Sequence, residues 1–352
     1  MTLPVADHYN IEIGPITAAH FAWLEARKYA GWVLFADENT AELCLPLIEE
    51  HLPDDMPIIV VAPGELNKNL ETCQTMWEDL FEAGVGRRWC AICLGGGVLE
   101  DMSGFVASTY KRGIDFLQIP TTLLSMVDSS VGGKLGIDFY DLKNSIGVFA
   151  NPVAVWIDPA FLQTLPAREI RSGYGEIIKH GLIADKAQWD ELKQMTDLTA
   201  VDWAKIIPAS VNIKRAIVLE DPFEKGRRKA LNFGHTIGHA IESFWLETEQ
   251  RLFHGEAIAA GMVMEAWLSV QLDTLRKEDL AEIAAYCLAI YGHQPVPQFA
   301  FDELIGLMQQ DKKNEDHRIN FTLLGAPGVA RVNATAEEEM IVAALSYYNG
   351  LA

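Results

Sequence analysis

The sequence predicts an α/β N-terminal half followed by a mostly α-helical C-terminal half. Three observations carry this. Short, fully apolar runs recur between residues 31 and 119, and helix-like stretches separate the first three. Each run stops at a turn-forming or polar residue: Asp37, Pro63, Gly95 or Pro120. Beyond about residue 160 such runs become rare and long segments of helical period follow. Apolar strands alternating with helices imply a parallel sheet covered on both faces. Ligands of such sheets bind beyond the carboxyl ends of the strands.

Taken in order, strands are expected at 31–36, 56–62, 90–94, 116–119 and 153–157. Helices are expected near 40–51, 68–83 and 102–111, and the stretch after residue 120 reads as turn-rich. In the second half helical patterns cover 167–184, 187–195, 202–219, 233–246, 255–273, 277–291 and 301–309, with a late strand at 319–324. The boundary is placed to give an α/β domain over 1–159 and a helical domain over 160–352, with the cleft between them as the expected site. No internal repeat or low-complexity linker interrupts either half.

The chain has 352 residues, 49% of them apolar, enough for a well-developed core. No apolar run reaches the roughly 18 residues of a membrane span. The start lacks the basic and apolar regions of a signal peptide, so a cytoplasmic protein with no membrane partner is expected. With 28 basic against 49 acidic residues the formal charge is −21, which should repel nucleic acid. Any clustering of cations is therefore informative. The five cysteines are odd in number and scattered, which argues against a disulfide framework. Cys90 and Cys93 formally read as CxxC, but in a strand they face opposite sides and are expected in the core.

Three histidines fall at 235, 239 and 254. His235 and His239 share a helix face at i, i+4 spacing and could chelate a divalent metal with His254. An ordinary amphipathic helix explains the same pattern. Thr236 stands where a zincin glutamate would be, which argues against a metalloprotease. Gly95, Gly96 and Gly97 follow a strand and precede a helix, where glycines let backbone N–H groups approach a phosphate. Lys134 follows two glycines, a placement suited to an ammonium on a phosphate or carboxylate.

Eight motifs then occur in one order: Gly95-Gly-Gly-Val98, Ile119-Pro-Thr-Thr-Leu-Leu124, Val127-Asp-Ser-Ser-Val-Gly-Gly-Lys134, Leu142-Lys-Asn144, Leu165-Pro-Ala-Arg-Glu169, Gly175-Glu-Ile-Ile-Lys179, Leu231-Asn-Phe-Gly-His-Thr-Ile-Gly-His239 and His254-Gly-Glu256. In these the chain resembles the 3-dehydroquinate synthases, of the sugar phosphate cyclase superfamily, over about residues 37 to 313. The resemblance implies an α/β NAD-binding domain plus a mostly helical metal-binding domain. It implies conversion of 3-deoxy-D-arabino-heptulosonate 7-phosphate to 3-dehydroquinate and phosphate, with NAD and one divalent metal, zinc or cobalt, as cofactors. It also implies a homodimer.

The resemblance assigns Glu176, His235 and His254 as metal ligands, leaving His239 to the substrate. Around NAD it places Asp37, Glu65, Lys68, Gly96, Gly97, Asp101, Thr121, Thr122, Asp128, Lys143, Thr164 and Leu165. In the substrate pocket it places Arg112, Lys134, Asn144, Lys179, Lys214, Arg228, Asn232, His239 and Lys312, with Lys313 beside the last. Of these, Lys134, Lys179, Lys214 and His239 are implied as catalytic. A phosphorylated sugar acid suits such a gathering of cations in a −21 chain. Cyclases of sedoheptulose 7-phosphate or glucose 6-phosphate lack the carboxylate to be matched, and a metal-dependent polyol dehydrogenase would release NADH. One departure stands out: the family commonly has glycine where this chain has Glu100. That side chain is expected to point to solvent, away from the bound cofactor.

Overall fold

The computed structural model describes residues 1–140, 142–310 and 318–351. They form two compact units, Met1–Pro166 with Trp203–Arg215, and Ala167–Asp202 with Ala216–Ala352. The division thus falls a few residues beyond the 159/160 boundary read from sequence. Asp158 ties the intervening segment to the first unit: its carboxylate accepts Ile16 N–H at 2.9 Å and Ala160 N–H at 2.9 Å.

The first unit contains strands β1 (Thr2–Val5), β2 (Tyr9–Ile13), β3 (Gly31–Asp37), β4 (Ile58–Val61), β5 (Trp89–Gly95), β6 (Asp115–Pro120), β7 (Lys134–Phe139), β8 (Leu142–Phe149) and β9 (Ala154–Ile157). Its helices are α1 (Ala18–Glu25), α2 (Glu38–Leu43), α3 (Leu70–Glu82) and α4 (Gly97–Thr109). Seven strands form one sheet in the order β1-β2-β9-β6-β5-β3-β4, parallel except for β1 against β2. β7 and β8 form a separate antiparallel hairpin. On one sheet face Cys73, Met76 and Leu80 of α3 pack in a cluster with Val33 and Phe35 of β3 and Cys93 of β5. Cys90 is equally buried but lies outside that cluster, as strand alternation requires.

Chain order places a topological switch at β3. The chain leaves β3 for the edge strand β4, then returns to lay β5 on the other side of β3. The crevice at the carboxyl ends of β3 and β5 is where open α/β sheets bind ligands. Asp37 and Gly95 end those two strands.

Helix α4 begins at Gly97, not near 102, and this overturns the expectation for Glu100. The helix takes Glu100 into its first turn and buries residues on most of its circumference, from Leu99 to Ala107. Glu100 lies on the packed side of the helix and is 0% exposed, while the neighbouring Asp101 is only partly buried. The stretch after Thr122 is likewise more regular than expected: Ser125–Ser129 form one wide turn of π-helix before β7.

The second unit is helical, with α5 (Ala167–Ala184), α6 (Lys186–Leu192), α7 (Trp203–Glu220, whose first part belongs to the first unit), α8 (His235–Trp245), α9 (His254–Gln271), α10 (Lys277–Tyr291), α11 (Phe301–Gln309) and α12 (Glu338–Asn349). It also carries a hairpin of β10 (Asn320–Ala326) and β11 (Val329–Thr335). Helix α9 is apolar and buried along nearly its whole length, which makes it the core of this unit. Helices α8 and α9 run antiparallel in close contact. Gly234 takes a left-handed φ of +79°, and a Cβ on Gly261 would lie 2.1 Å from the Gly234 carbonyl oxygen. No described helix is long and apolar enough to cross a membrane.

Candidate active site

In the first unit the expected cofactor residues form a connected polar network. The Lys68 ammonium, 4% exposed, donates to Asp101 at 2.6 Å and to the Asn144 side-chain carbonyl at 2.6 Å. Burial works against its charge, but Asp101, Glu65 and Asp138 hold its pKa above the usual lysine range. Glu65 pairs with Lys143 at 3.1 Å. Asn144 was assigned to the substrate, yet its side chain binds a cofactor-side lysine; Asp138 accepts its backbone N–H at 2.7 Å. Asp37 caps α2, accepting Thr40 N–H at 2.9 Å through one carboxylate oxygen.

Other residues of this unit fall around the same strand ends. Gly96 is the N-cap of α4 and Gly97 its first residue. Thr121 follows β6 and is buried, and Thr122 exchanges hydrogen bonds with Ser125 at 3.1 Å each way. Thr164 donates to the Phe161 carbonyl at 2.8 Å and lies 3.5 Å from Cys44 Sγ at the end of α2, with half-buried Leu165 next to it. Lys214 is buried and binds Asp128 twice, at 2.7 Å to the carboxylate and 2.6 Å to the backbone carbonyl. Arg112 does not fall there: exposed, with a left-handed φ of +71°, it lies just before the amino end of β6, where its neighbours Tyr110 and Lys111 bind the Val85 carbonyl ahead of β5, at the opposite end of the strands. Lys134 is exposed at the start of β7.

The second unit gathers the histidines. His235 opens α8 and His254 opens α9. Their Nε2 atoms lie 3.5 and 3.4 Å from the same atom, Glu176 Oε1 on α5. The other ring nitrogen of each is engaged: His235 Nδ1 lies 3.1 Å from the Phe233 carbonyl, and His254 Nδ1 3.1 Å from Glu242. Those acceptors favour protons on Nδ1 and turn the Nε2 lone pairs toward Glu176. With both rings neutral, two lone pairs and a carboxylate oxygen point together, and they repel one another unless a proton or a metal ion lies among them. The residues therefore fit a divalent metal, and the His₂-carboxylate set is one that keeps an open position. Lys179, 1% exposed, pairs with the other oxygen of Glu176, leaving Oε1 for the imidazoles.

His239 adds a fourth group. Its ring centroid is 4.9 Å from that of His235 and 5.7 Å from that of His254, and the three histidines alone place ligand atoms within 4.8 Å of one another. Burial pulls the His254 imidazole down, but Glu242 and Glu176 outweigh it and push its pKa up to about 10. The pocket is thus strongly favourable to positive charge. Arg228 is buried and donates to the Pro222 carbonyl at 2.7 Å, and Asn232 donates to Glu224 at 2.9 Å. Lys312 and Lys313 lie outside the described residues.

Sequence reasoning gave no role to four carboxylates of this unit, although Glu256 stands in one of the quoted motifs. Glu242 sits behind His254, and Glu224 holds Asn232. Glu256 accepts from Arg168 at 2.9 and 2.7 Å, from Arg171 at 3.0 Å and from Phe253 N–H at 2.8 Å, bracing the start of α9. Glu265 accepts from the first turn of α8. A signal existed for two of them. Glu242 is two helical turns from His235, and Glu265 is a lone charge in an apolar run.

Comparison with known proteins bears on this geometry. Family profiles described as 3-dehydroquinate synthase N-terminal and C-terminal match residues 58–172 and 173–314. The 3-dehydroquinate synthase of Parabacteroides distasonis is 41% identical over 331 residues, 93% of each chain. The chain belongs to the 3-dehydroquinate synthase family. A second relative of that name, from Streptococcus mutans, is 42% identical over 87% of this chain and 88% of its own. Among solved structures, 2-epi-5-epi-valiolone synthase from Streptomyces hygroscopicus, with NAD⁺ and Zn²⁺ bound, superposes with a TM-score of 0.85 at 26% identity, covering 97% of each chain. A 2-deoxy-scyllo-inosose synthase shares the fold at 23% identity, with a TM-score of 0.82 over 99% of each chain. The α/β and helical halves read from sequence are thus the family's architecture.

Proposed function

We propose that this chain is a 3-dehydroquinate synthase, converting 3-deoxy-D-arabino-heptulosonate 7-phosphate to 3-dehydroquinate and phosphate. The observation that carries the reading is the convergence of His235 and His254 on one oxygen of Glu176, with His239 one helical turn away. Relatives of that name at about 40% identity over most of the chain support the same activity.

On this reading Glu176, His235 and His254 hold a zinc or cobalt ion, and the crevice at the ends of β3 and β5 holds NAD. When bound, NAD supplies reversible oxidation at the substrate C5 hydroxyl and the metal polarises that oxygen. The residues of the chain bind, orient and move protons around this chemistry. Asp37, Glu65, Lys68, Gly96, Gly97, Asp101, Thr121, Thr122, Asp128, Lys143, Thr164 and Leu165 form the cofactor side, where Lys68 and Asp101 already fix one another. Lys134 and Asn144 take the phosphate, which leaves by elimination once C5 is a ketone and the C6 proton is acidic. Lys179, Lys214, Arg228 and Asn232 take the carboxylate and hydroxyls. His239 is positioned to hold a hydroxyl proton beside the metal without being a ligand. The protein works in the cytoplasm as a homodimer.

The test uses purified protein with NAD⁺ and zinc or cobalt, given the heptulosonate phosphate, sedoheptulose 7-phosphate or glucose 6-phosphate in turn. Phosphate release from the heptulosonate with no net NADH is expected. Accumulation of NADH without phosphate would sink the reading in favour of a simple dehydrogenase, and turnover of only an uncarboxylated sugar would shift it to another cyclase.

A further inference from the structure

An α-helix leaves its first backbone N–H groups without partners, and the side chain of the N-cap residue ordinarily accepts one of them. Helix α8 cannot use that device, because its N-cap is Gly234. A carboxylate from the middle of another helix does the work. Glu265 of α9, 0% exposed, accepts Gly234 N–H at 2.7 Å, Thr236 N–H at 3.1 Å and Ile237 N–H at 3.2 Å. A carboxylate at this depth is costly unless hydrogen-bonded, and the neighbouring α9 residues from Ala257 to Met264 are apolar and buried. Three N–H donors at the positive end of a helix offset that cost.

The residue held between those donors is His235. Its backbone belongs to the turn that Glu265 grips, and its Nδ1 is fixed by Phe233 on the same loop. The arrangement is reciprocal. Glu242 of α8 reaches His254, the first residue of α9, at 3.1 Å. Each of the two antiparallel helices thus sends one glutamate to the end of the other, and each of those ends carries an imidazole aimed at Glu176.

We infer that Glu265 is a positioning residue for metal binding: it sets the first turn of α8, and with it the place of the His235 imidazole, to the accuracy that ligation needs. The inference rests on the proposed ligand set of Glu176, His235 and His254. A ligand misplaced by a fraction of an ångström loses bond energy, and groups that orient metal ligands from behind change affinity by roughly 10–100-fold when removed. Glu265→Gln keeps the shape of the side chain and removes the charge that binds the three N–H groups together.

The experiment is a cobalt titration of full-length, metal-stripped protein, read by the visible absorption of bound cobalt and repeated by zinc competition. Glu265→Gln is expected to weaken the cobalt Kd about 10–100-fold and to alter the cobalt spectrum. Leu192→Ala, a fully buried change on α6 of the same unit, should lower Tm while leaving Kd and spectrum unchanged. A Glu265→Gln Kd and spectrum equal to wild type would overturn the inference, as would equal weakening by Leu192→Ala. Should Glu265→Gln not fold, Glu265→Asp, which withdraws the carboxylate by one methylene, is titrated in its place. Unchanged affinity in that variant is equally fatal. His235→Ala is the separate control: if it still binds cobalt like wild type, the ligand set itself is wrong, whatever Glu265 does.

Discussion

His235 and His239 are the same residue type one helical turn apart, and the structure gives them different surroundings. His235 Nε2 faces Glu176 at 3.5 Å, with its other nitrogen on the Phe233 carbonyl. His239 lies alongside, its ring centroid 4.9 Å from that of His235. His235→Ala should therefore abolish tight metal binding, and His239→Ala should retain the metal yet lose turnover. Metal content by mass spectrometry after dialysis checks this; equal loss in both variants would put His239 among the ligands. Glu100 is the other residue whose surroundings decide its chemistry. Burial first, and then the Asp101 charge, push its carboxyl well above the usual glutamate range, against a small opposing effect from the Ser129 hydroxyl. The folded protein therefore keeps a proton that the unfolded chain releases above a pH of about 4.5. The stability this proton supports is fully present below that pH. It declines by up to about 1.4 kcal/mol per pH unit as pH rises toward the folded-state pKa. Glu100→Gln cannot ionise, so its unfolding midpoint should gain on wild type as pH rises above about 4.5. A difference that does not change with pH would mean that Glu100 is not held neutral.

At the scale of elements, the contact between α8 and α9 carries two of the three proposed metal ligands and much of the second unit's packing. A methyl group at Gly261 would lie 2.1 Å from Gly234 O and 2.8 Å from Gly238 N, both backbone atoms that cannot rotate away. Gly261→Ala should force the helices apart and destabilise the protein by about 1–3 kcal/mol or more. Urea denaturation measures this, and an unshifted midpoint would contradict the close approach. Helix positions here were legible from period alone: α5, α10 and α11 fall where the sequence places them. The hairpins β1–β2 and β7–β8 were not. Their strands are short or alternate partly buried with exposed residues, so they show no apolar run to mark them. The first turn of α4 was hidden for a related reason. Its glycines read as a turn, whereas a sheet-packed helix uses them as its own beginning.

At the scale of the molecule, the two proposed cofactor roles fall to different units. All three proposed metal ligands belong to the second, and the network around Lys68 belongs to the first. A ligand that binds only the folded state stabilises it by about 2.7 kcal/mol at a hundred times its Kd. Hydrogen exchange should accordingly show zinc protecting amides of α5, α8 and α9, and NAD⁺ protecting those around β3, β5 and the start of α4. Protection of one and the same set by both ligands would show that the sites are not divided in this way. The −21 charge excludes little by itself, but it makes the burial of Lys68, Lys179, Lys214 and Arg228 informative, since a strongly acidic chain has set these cations inside.

By itself the sequence determined the class of each half, because apolar period and strand-to-turn punctuation are local properties of the chain. Through its ordered motifs it also determined the family and the candidate residues. Only the tertiary structure decided what those residues touch. It joined Glu176 to histidines that lie far along the chain, made His254 depend on Glu242, and hung the first turn of α8 on Glu265. It also turned Glu100 inward. These are contacts between distant segments, fixed by which helix faces pack together, and no local pattern records that.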